Sequence, residues 1–316
     1  QVYDVVPNDL KEGYVQSWNV AVQRSLPWKF VVEAAYVGNR GNGILGRYNL
    51  NAGRVLGAGA AGRPLNILYG RTADTNTWLP VSNNYNALQM KFDRRFSDGF
   101  QLTTAYTYSK AIDYGTGDNG GFFNQINVRE NRARAEFDQT HNLVQSFIWE
   151  LPFGSRGRWL KDGVANWIVG GWQVNGIFTA TTGAPLSFTY NATTLNAPGN
   201  GNRPDILRTP EIYKRVGSGQ LWFDNTAFAA PARATFGNTG RNILNGPGFV
   251  NLDFSVMRKF PITETKVLEF RMESFNFTNT PHFNNPTTEL TSSTFGQVTG
   301  AQQDQRQFQF GLKLLF

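Results

Sequence analysis

The last nine residues constrain this chain more than any other stretch. From Phe308 the sequence reads Phe-Gln-Phe-Gly-Leu-Lys-Leu-Leu-Phe and stops at Phe316. Phe308, Phe310, Leu312, Leu314 and Phe316 share one parity, and Gln309, Gly311 and Lys313 share the other. Successive side chains of a strand point to opposite faces, so this segment is a strand with one apolar and one mostly polar face. Two settings suit that pattern. Hydrocarbon can lie outside and an aqueous lumen inside, or the strand can close an ordinary soluble sandwich.

The same alternation recurs upstream, giving nine segments in all. Residues 14–24 put Trp18, Val20 and Val22 on one face. Residues 28–37 put Phe30, Val32, Ala34 and Tyr36 together, with Lys29 and Glu33 opposite. Residues 86–96 oppose Leu88, Met90 and Phe92 to Gln89, Lys91 and Asp93. Residues 100–112 oppose Leu102, Tyr106 and Tyr108 to Gln101, Thr103 and Ser109. Residues 141–151 alternate poorly, and their faces stay open. Residues 167–180 set Trp172, Val174 and Phe178 against Gln173, Asn175 and Thr179. Residues 249–260 set Val250, Leu252, Phe254 and Val256 against Asn251, Asp253 and Ser255. Residues 266–277 set Leu268, Phe270 and Met272 against Glu269, Arg271 and Glu273. Several reach about 11 residues, the length a tilted membrane strand needs, whereas soluble strands average about 5–6.

The connections alternate as well. Residues 25–27, 97–99 and 261–265 are short and 152–166 middling, while 38–85, 113–140, 191–248 and 278–305 are long. Short and long come strictly in turn, as in outer-membrane barrels with short periplasmic turns and long outside loops. This parity puts the C-terminus on the periplasmic side. Loops so long would be unusual in a compact soluble domain. An odd count leaves sheet edges open, so a further strand is expected near residues 185–190 or in the long loops, or partner strands before Gln1.

Composition agrees. Hydrophobic residues make up 40% of the 316, yet mean hydropathy is −0.38, so apolar residues are diluted along the chain and no run matches a membrane helix. There is no cysteine, which excludes disulfides and thiolate metal sites. The formal charge of +7 is spread along strand faces, fitting a charged lumen better than an anionic partner; nothing points to nucleic acid. The first residue is Gln1 with no signal peptide after it, which we read as processing or as a piece of a longer protein.

Several stretches resemble the C-terminal barrel of TonB-dependent outer-membrane receptors, in particular the Oar-like branch with an N-terminal carboxypeptidase-regulatory-like domain. They are Ala35-Tyr36-Val37-Gly38-Asn39-Arg40-Gly41; Tyr85-Asn86-Ala87-Leu88-Gln89 with Phe92-Asp93-Arg94-Arg95-Phe96; Ala105-Tyr106-Thr107-Tyr108-Ser109-Lys110-Ala111; Phe137-Asp138-Gln139-Thr140-His141; Leu151-Pro152-Phe153-Gly154; Gly171-Trp172-Gln173; Thr182-Gly183-Ala184-Pro185; Leu268-Glu269-Phe270-Arg271; Glu273-Ser274-Phe275-Asn276; Asn279-Thr280-Pro281-His282-Phe283; and the terminal Phe316. Each word is moderately specific, and the ordered set is strong. The resemblance implies an all-β, antiparallel transmembrane β-barrel of about 22 strands with a plug. Residues 1–316 would be its C-terminal part, about the last nine strands, without plug or TonB box.

It further implies partners: outer-membrane lipid, the plug and remaining strands of the same protein, TonB through the plug region, an extracellular ligand, and the barrel-assembly machinery. That machinery would read Phe308, Phe310, Leu312, Leu314 and Phe316. The implied function is TonB-dependent uptake of a scarce solute across the bacterial outer membrane. A passive porin, a surface adhesin and a soluble β-sandwich lectin are the alternatives.

No enzyme is expected, and no cofactor. Gly57, Gly59 and Gly62 match the dinucleotide fingerprint but lack the strand–helix setting it needs. His141 has Asp138 nearby, and His282 stands far from both; hydrogen-bonded anchoring is the commoner role for such histidines than zinc ligation. The acidic group Asp113, Asp118, Glu130, Glu136 and Asp138 lacks calcium-loop spacing and is interleaved with Arg129, Arg132 and Arg134, which favours salt bridges. Lys91, Asp93 and Arg95, and Glu269, Arg271 and Glu273, are the expected lumen-facing charges, because a lipid-facing charge costs about 2–4 kcal/mol at mid-bilayer. Cross-strand pairing is a commoner role for them than contact with cargo.

Overall fold

A computed structural model describes residues 2–115, 121–154, 157–302 and 305–316. Nine long strands form one sheet: β1 (Tyr14–Leu26), β2 (Phe30–Asn49), β3 (Thr75–Ser97), β4 (Phe100–Asp113), β5 (His141–Glu150), β6 (Trp172–Thr181), β7 (Phe249–Pro261), β8 (Val267–Phe275) and β9 (Gln307–Leu315). Each pairs antiparallel with the next in sequence, an up-and-down meander. Two α-helices are added among the described residues, α1 (Pro64–Tyr69) and α2 (Gly163–Val169). No described helix is long and apolar enough to cross a membrane.

The ladder turns local alternation into a two-faced wall. Trp149, Val174, Val256, Met272 and Phe310 lie side by side across five strands. On the opposite face, one residue along, stand Ile148, Asn175, Ser255, Glu273 and Gln309. Much of the apolar face is exposed: Val22 is 70% exposed, Phe310 68% and Leu312 67%. Leaving a large apolar side chain in water forgoes about 1.5–3 kcal/mol, a penalty repeated at many positions of the sheet. Hydrocarbon on that face removes it.

Local chemistry sets the turns and close contacts. Asp98 (φ 52°) and Gly99 (φ 75°) join Ser97 to Phe100 in a two-residue hairpin, whose two left-handed positions suit Asp-Gly. Gly38 lies directly across from Trp18, and a Cβ there would meet the indole Nε1 at 2.1 Å. The glycine lets the ring lie flat on the neighbouring strand.

Four boundaries differ from the sequence reading. β2 and β3 run on to Asn49 and back to Thr75, through what read as a 38–85 loop. β3 has 23 residues, roughly 75 Å at about 3.3 Å each, far more than an apolar band about 25 Å tall needs. The surplus leaves hydrocarbon, so alternation stops being required there. Lys29 sits in the turn Pro27–Lys29, with φ 65°, not on a strand face. Residues 163–169 are the helix α2, and the sixth strand starts only at Trp172. Residues Pro185–Leu186 pair with Leu244–Asn245 alone and add no strand to the wall.

β5 now has faces. His141, Leu143, Gln145, Phe147 and Trp149 join the apolar side, while Val144 and Ile148 fall among polar neighbours. Among the described residues β1 and β9 each pair on one side only, so the wall is an open sheet.

Candidate functional site

The polar face and the long connections at one end of the sheet hold the chain's concentrated hydrogen-bonding and charge. On the polar face, Lys91 and Asp93 are 3.6 Å apart, and Thr103 donates to Asp93 at 2.5 Å. Arg95 falls in a bulge between Arg94 and Ser97, where the register shifts and the ladder gives it no rung partner. On β8, Arg271 reaches Glu269 at 3.0 Å and Glu273 at 3.6 Å, and Lys259 of β7 reaches Glu269 at 3.7 Å. These charges neutralise one another, as expected of structural pairs. The two groups are not brought together, because β4 to β7 lie between their strands. Between them a groove of about 530 Å³ is lined by Ile148, Ile177, Met257 and Phe275 with Asn175 and Asp253.

The terminal-strand residues lie where the parity put them. Phe308, Phe310, Leu312 and Leu314 oppose Ser274, Met272, Phe270 and Leu268, and Phe316 is 96% exposed beyond the last rung.

The described parts of residues 50–74, 114–140, 182–248 and 276–306 leave the opposite end from Phe316 and are woven together. Gly57 and Gly59 donate to the carbonyls of Leu195 (3.0 Å) and Asn196 (2.7 Å). A short helix, α1, does follow the glycines, but their amides are turned to this neighbouring loop and not to a phosphate. Gln125 ties three segments: its Oε1 accepts from the Asn49 amide (3.0 Å), its own amide donates to Asn200 Oδ1 (2.9 Å), and Arg54 donates to its carbonyl (2.8 Å). Asn51 donates to the carbonyls of Arg71 and Ala73 and accepts from the Leu65 amide. Such side-chain-to-backbone bonds suit asparagine, whose amide imitates a peptide group.

Charge reinforces the weave. The buried Arg241 guanidinium bonds the buried Asp113 carboxylate, joining the end of β4 to the connection before β7. Arg134 binds Asp138 at 3.0 Å, and Asp138 also accepts from the Ala111 amide at 2.6 Å. Glu130 accepts from Asn124 and Asn127. Burial opposes ionisation of Asp74, but hydrogen bonds from Arg63 and Asn49 and the Arg63 charge outweigh it and hold that carboxyl below its usual range. Burial, helped by Arg241, pushes Arg203 down to about 10, so it stays cationic at neutral pH, 4.5 Å over the Phe123 ring. Asp118 lies outside the described residues.

Both histidines serve as anchors. His141 Nδ1 meets the Tyr106 hydroxyl at 2.7 Å, and His282 Nε2 meets the Val250 carbonyl at 2.8 Å against the Phe249 ring. Asp138 is engaged elsewhere, and no group of three or more metal-binding side chains occurs among the described residues.

Sequence reasoning missed a separate apolar core in the long connections. Phe188 stacks on Phe228 at 4.4 Å, and both meet Phe223 and Phe295 edge-on. Phe295 comes from the 276–306 connection and the others from 182–248, so the two fold as one lobe. The scattered phenylalanines lack any periodic spacing that would reveal this. Phe223 is fully buried. Phe223→Ala should cost about 3–5 kcal/mol, read as faster hydrogen exchange in residues 182–248 and 276–306 with the wall strands unchanged.

No curated protein matches the chain. Among solved structures, the outer membrane transporter YddB from Escherichia coli is 8% identical, with 99% of this chain and 34% of that one covered and a TM-score of 0.49. The pyoverdine outer membrane receptor FpvA from Pseudomonas aeruginosa PAO1 is 10% identical, with 97% and 30% covered and a TM-score of 0.49. The chain thus spans about a third of these structures. Residues 1–309 match the family described as the outer membrane beta barrel domain. The exposed apolar face, the polar back and the family match agree: the chain belongs to the outer membrane beta barrel domain family.

Proposed function

We propose that the intact protein is a TonB-dependent receptor–transporter of the Oar-like branch, and that residues 1–316 are the C-terminal part of its barrel. One observation carries this reading. Among the described residues, the long connections emerge at one end of the wall and interlock with their neighbours there, while the other end has mostly tight turns. A fixed, hydrogen-bond-rich surface above a polar-faced wall suits capture of a solute before it passes inward. The woven end then faces outside, and Phe316 lies on the periplasmic side. Lys91, Asp93, Glu269, Arg271 and Glu273 line the lumen. Strands pairing with the open edges of β1 and β9 close the barrel, since each unpaired backbone group in hydrocarbon costs several kcal/mol. A plug occupies the lumen and receives energy through TonB, and the ordered sequence words support this part.

The test uses cells carrying the intact protein, grown on a panel of limiting iron chelates, peptides and oligosaccharides. Uptake of the supporting solute should vanish when TonB is deleted or the proton-motive force is collapsed. Uptake that survives both treatments would replace this reading with a passive pore. Ligand binding without any uptake would replace it with an adhesin.

A further inference from the structure

The helix α2 lies on the wrong side of the wall for a lumen or periplasmic element. Its terminal carbonyls, Trp167 O and Ile168 O, accept hydrogen bonds from the Arg258 guanidinium, the second at 2.6 Å. Ile168 O also accepts from Trp172 Nε1 at 2.9 Å. Arg258 and Trp172 are rung partners, and the same rung continues through Phe270 and Leu312 on the apolar face. So the helix folds back over the hydrocarbon side. This also accounts for a charge on that side. The Arg258 guanidinium is held by helix C-terminal carbonyls, which favour a cation, and lies 5.3 Å over the Trp172 ring and 4.3 Å over the Phe260 ring.

The outward surface of α2 is apolar. Val164, Trp167 and Ile168, spaced to share one helix face, are 74%, 71% and 54% exposed. Trp159 and Leu160 just before it are exposed too, and the exposed Arg158 and Lys161 outnumber the single acid Asp162. Arg258 stands three residues before Pro261, the end of β7. At about 3.4 Å per residue and a tilt near 45°, that rung lies roughly 7 Å from the wall's rim. Interfacial helices sit at about this depth, with apolar residues toward the acyl chains and basic ones at the headgroups.

We infer that residues 157–171 form an interfacial foot. It lies in the headgroup–acyl boundary of the leaflet at the Phe316 end, contacts glycerophospholipid, and is clamped to the wall by Arg258. The lipid contact continues the hydrocarbon-facing wall through Trp172 and Phe270, which singles out lipid as the occupant over a protein partner.

The chain has no cysteine, so one can be introduced for labelling. An Ile168→Cys variant of the intact protein is labelled with an environment-sensitive fluorophore and reconstituted in phosphatidylethanolamine–phosphatidylglycerol vesicles. A Leu207→Cys variant, in the woven end, is the control. The expected result is blue-shifted emission at position 168, several-fold stronger quenching by headgroup-proximal nitroxide lipids than at position 207, and weak quenching by aqueous iodide. Adding Arg258→Met should reverse that order while the barrel stays folded, as judged by its heat-modifiable gel mobility. Strong iodide quenching without lipid quenching at position 168 in the parent would overturn the inference. So would a label that neither quencher reaches, since protein would then cover the helix.

Discussion

Removing Phe316, or replacing it by Ala, should lower the yield of assembled protein in the outer membrane several-fold while leaving the stability of whatever assembles unchanged. The separation of the two effects follows from geometry. Phe316 lies beyond the last rung of β9 and is 96% exposed, so its loss should shift stability by no more than about 0.5 kcal/mol. Phe310 gives the contrast. It faces outward beside Met272 in the middle of the apolar rows and is 68% exposed. Phe310→Arg puts a charge on the lipid face and should cost up to about 2–4 kcal/mol, read as a lower denaturant midpoint in vesicles. Quantitative membrane fractionation of the intact protein, followed by urea titration of the folded fraction, measures both. Normal yield without Phe316 would show that the assembly machinery does not read this residue. An unaltered midpoint for Phe310→Arg would mean that β9 does not face hydrocarbon.

The wall was legible in the sequence because a membrane imposes one rule on every strand: oil on one side, water on the other. Where that rule holds, the expected faces of β1, β3, β4, β7, β8 and β9 agree with the ladder. Where it lapses, the text becomes unreadable. Beyond Gly38 in β2 and before Tyr85 in β3 both faces leave hydrocarbon, so continuous strands looked like loop. β5 was ambiguous because Val144 and Ile148 lie on the polar face and Gln145 on the apolar one. Trp167, Ile168 and Val169 read as strand because bulky residues favour strands. What holds them in α2 is Arg258, about 90 positions away. The woven end was hidden for the same reason. Its links join Gln125 to Asn200 and Asp113 to Arg241, pairs that no local period connects.

Breaking the Asp113–Arg241 pair should do the most damage to that end. Both side chains are buried, 10% and 6% exposed respectively. Removing one partner of a buried ion pair leaves an uncompensated charge and costs about 3–5 kcal/mol. Arg241 also donates to the Asp113 carbonyl at 3.2 Å and the Arg134 carbonyl at 3.3 Å, and the neighbouring Asn242 donates to Arg134 O at 2.6 Å. Arg241→Met therefore strips donors from both sides of the seam between residues 114–140 and 182–248. We expect faster hydrogen exchange and protease cleavage in these two connections, with β6 to β9 still protected. Asp113→Leu alone should act similarly, since Arg241 is then the stranded charge. The double variant Asp113→Leu/Arg241→Met should recover much of the loss, because a well-packed apolar pair can match a buried ion pair. A double-mutant cycle read by local exchange supplies the coupling energy. Additive single effects would mean that the two groups hold the end together independently. Loss of protection throughout the wall would mean that the woven end and the barrel fold as one unit rather than as a surface resting on a scaffold.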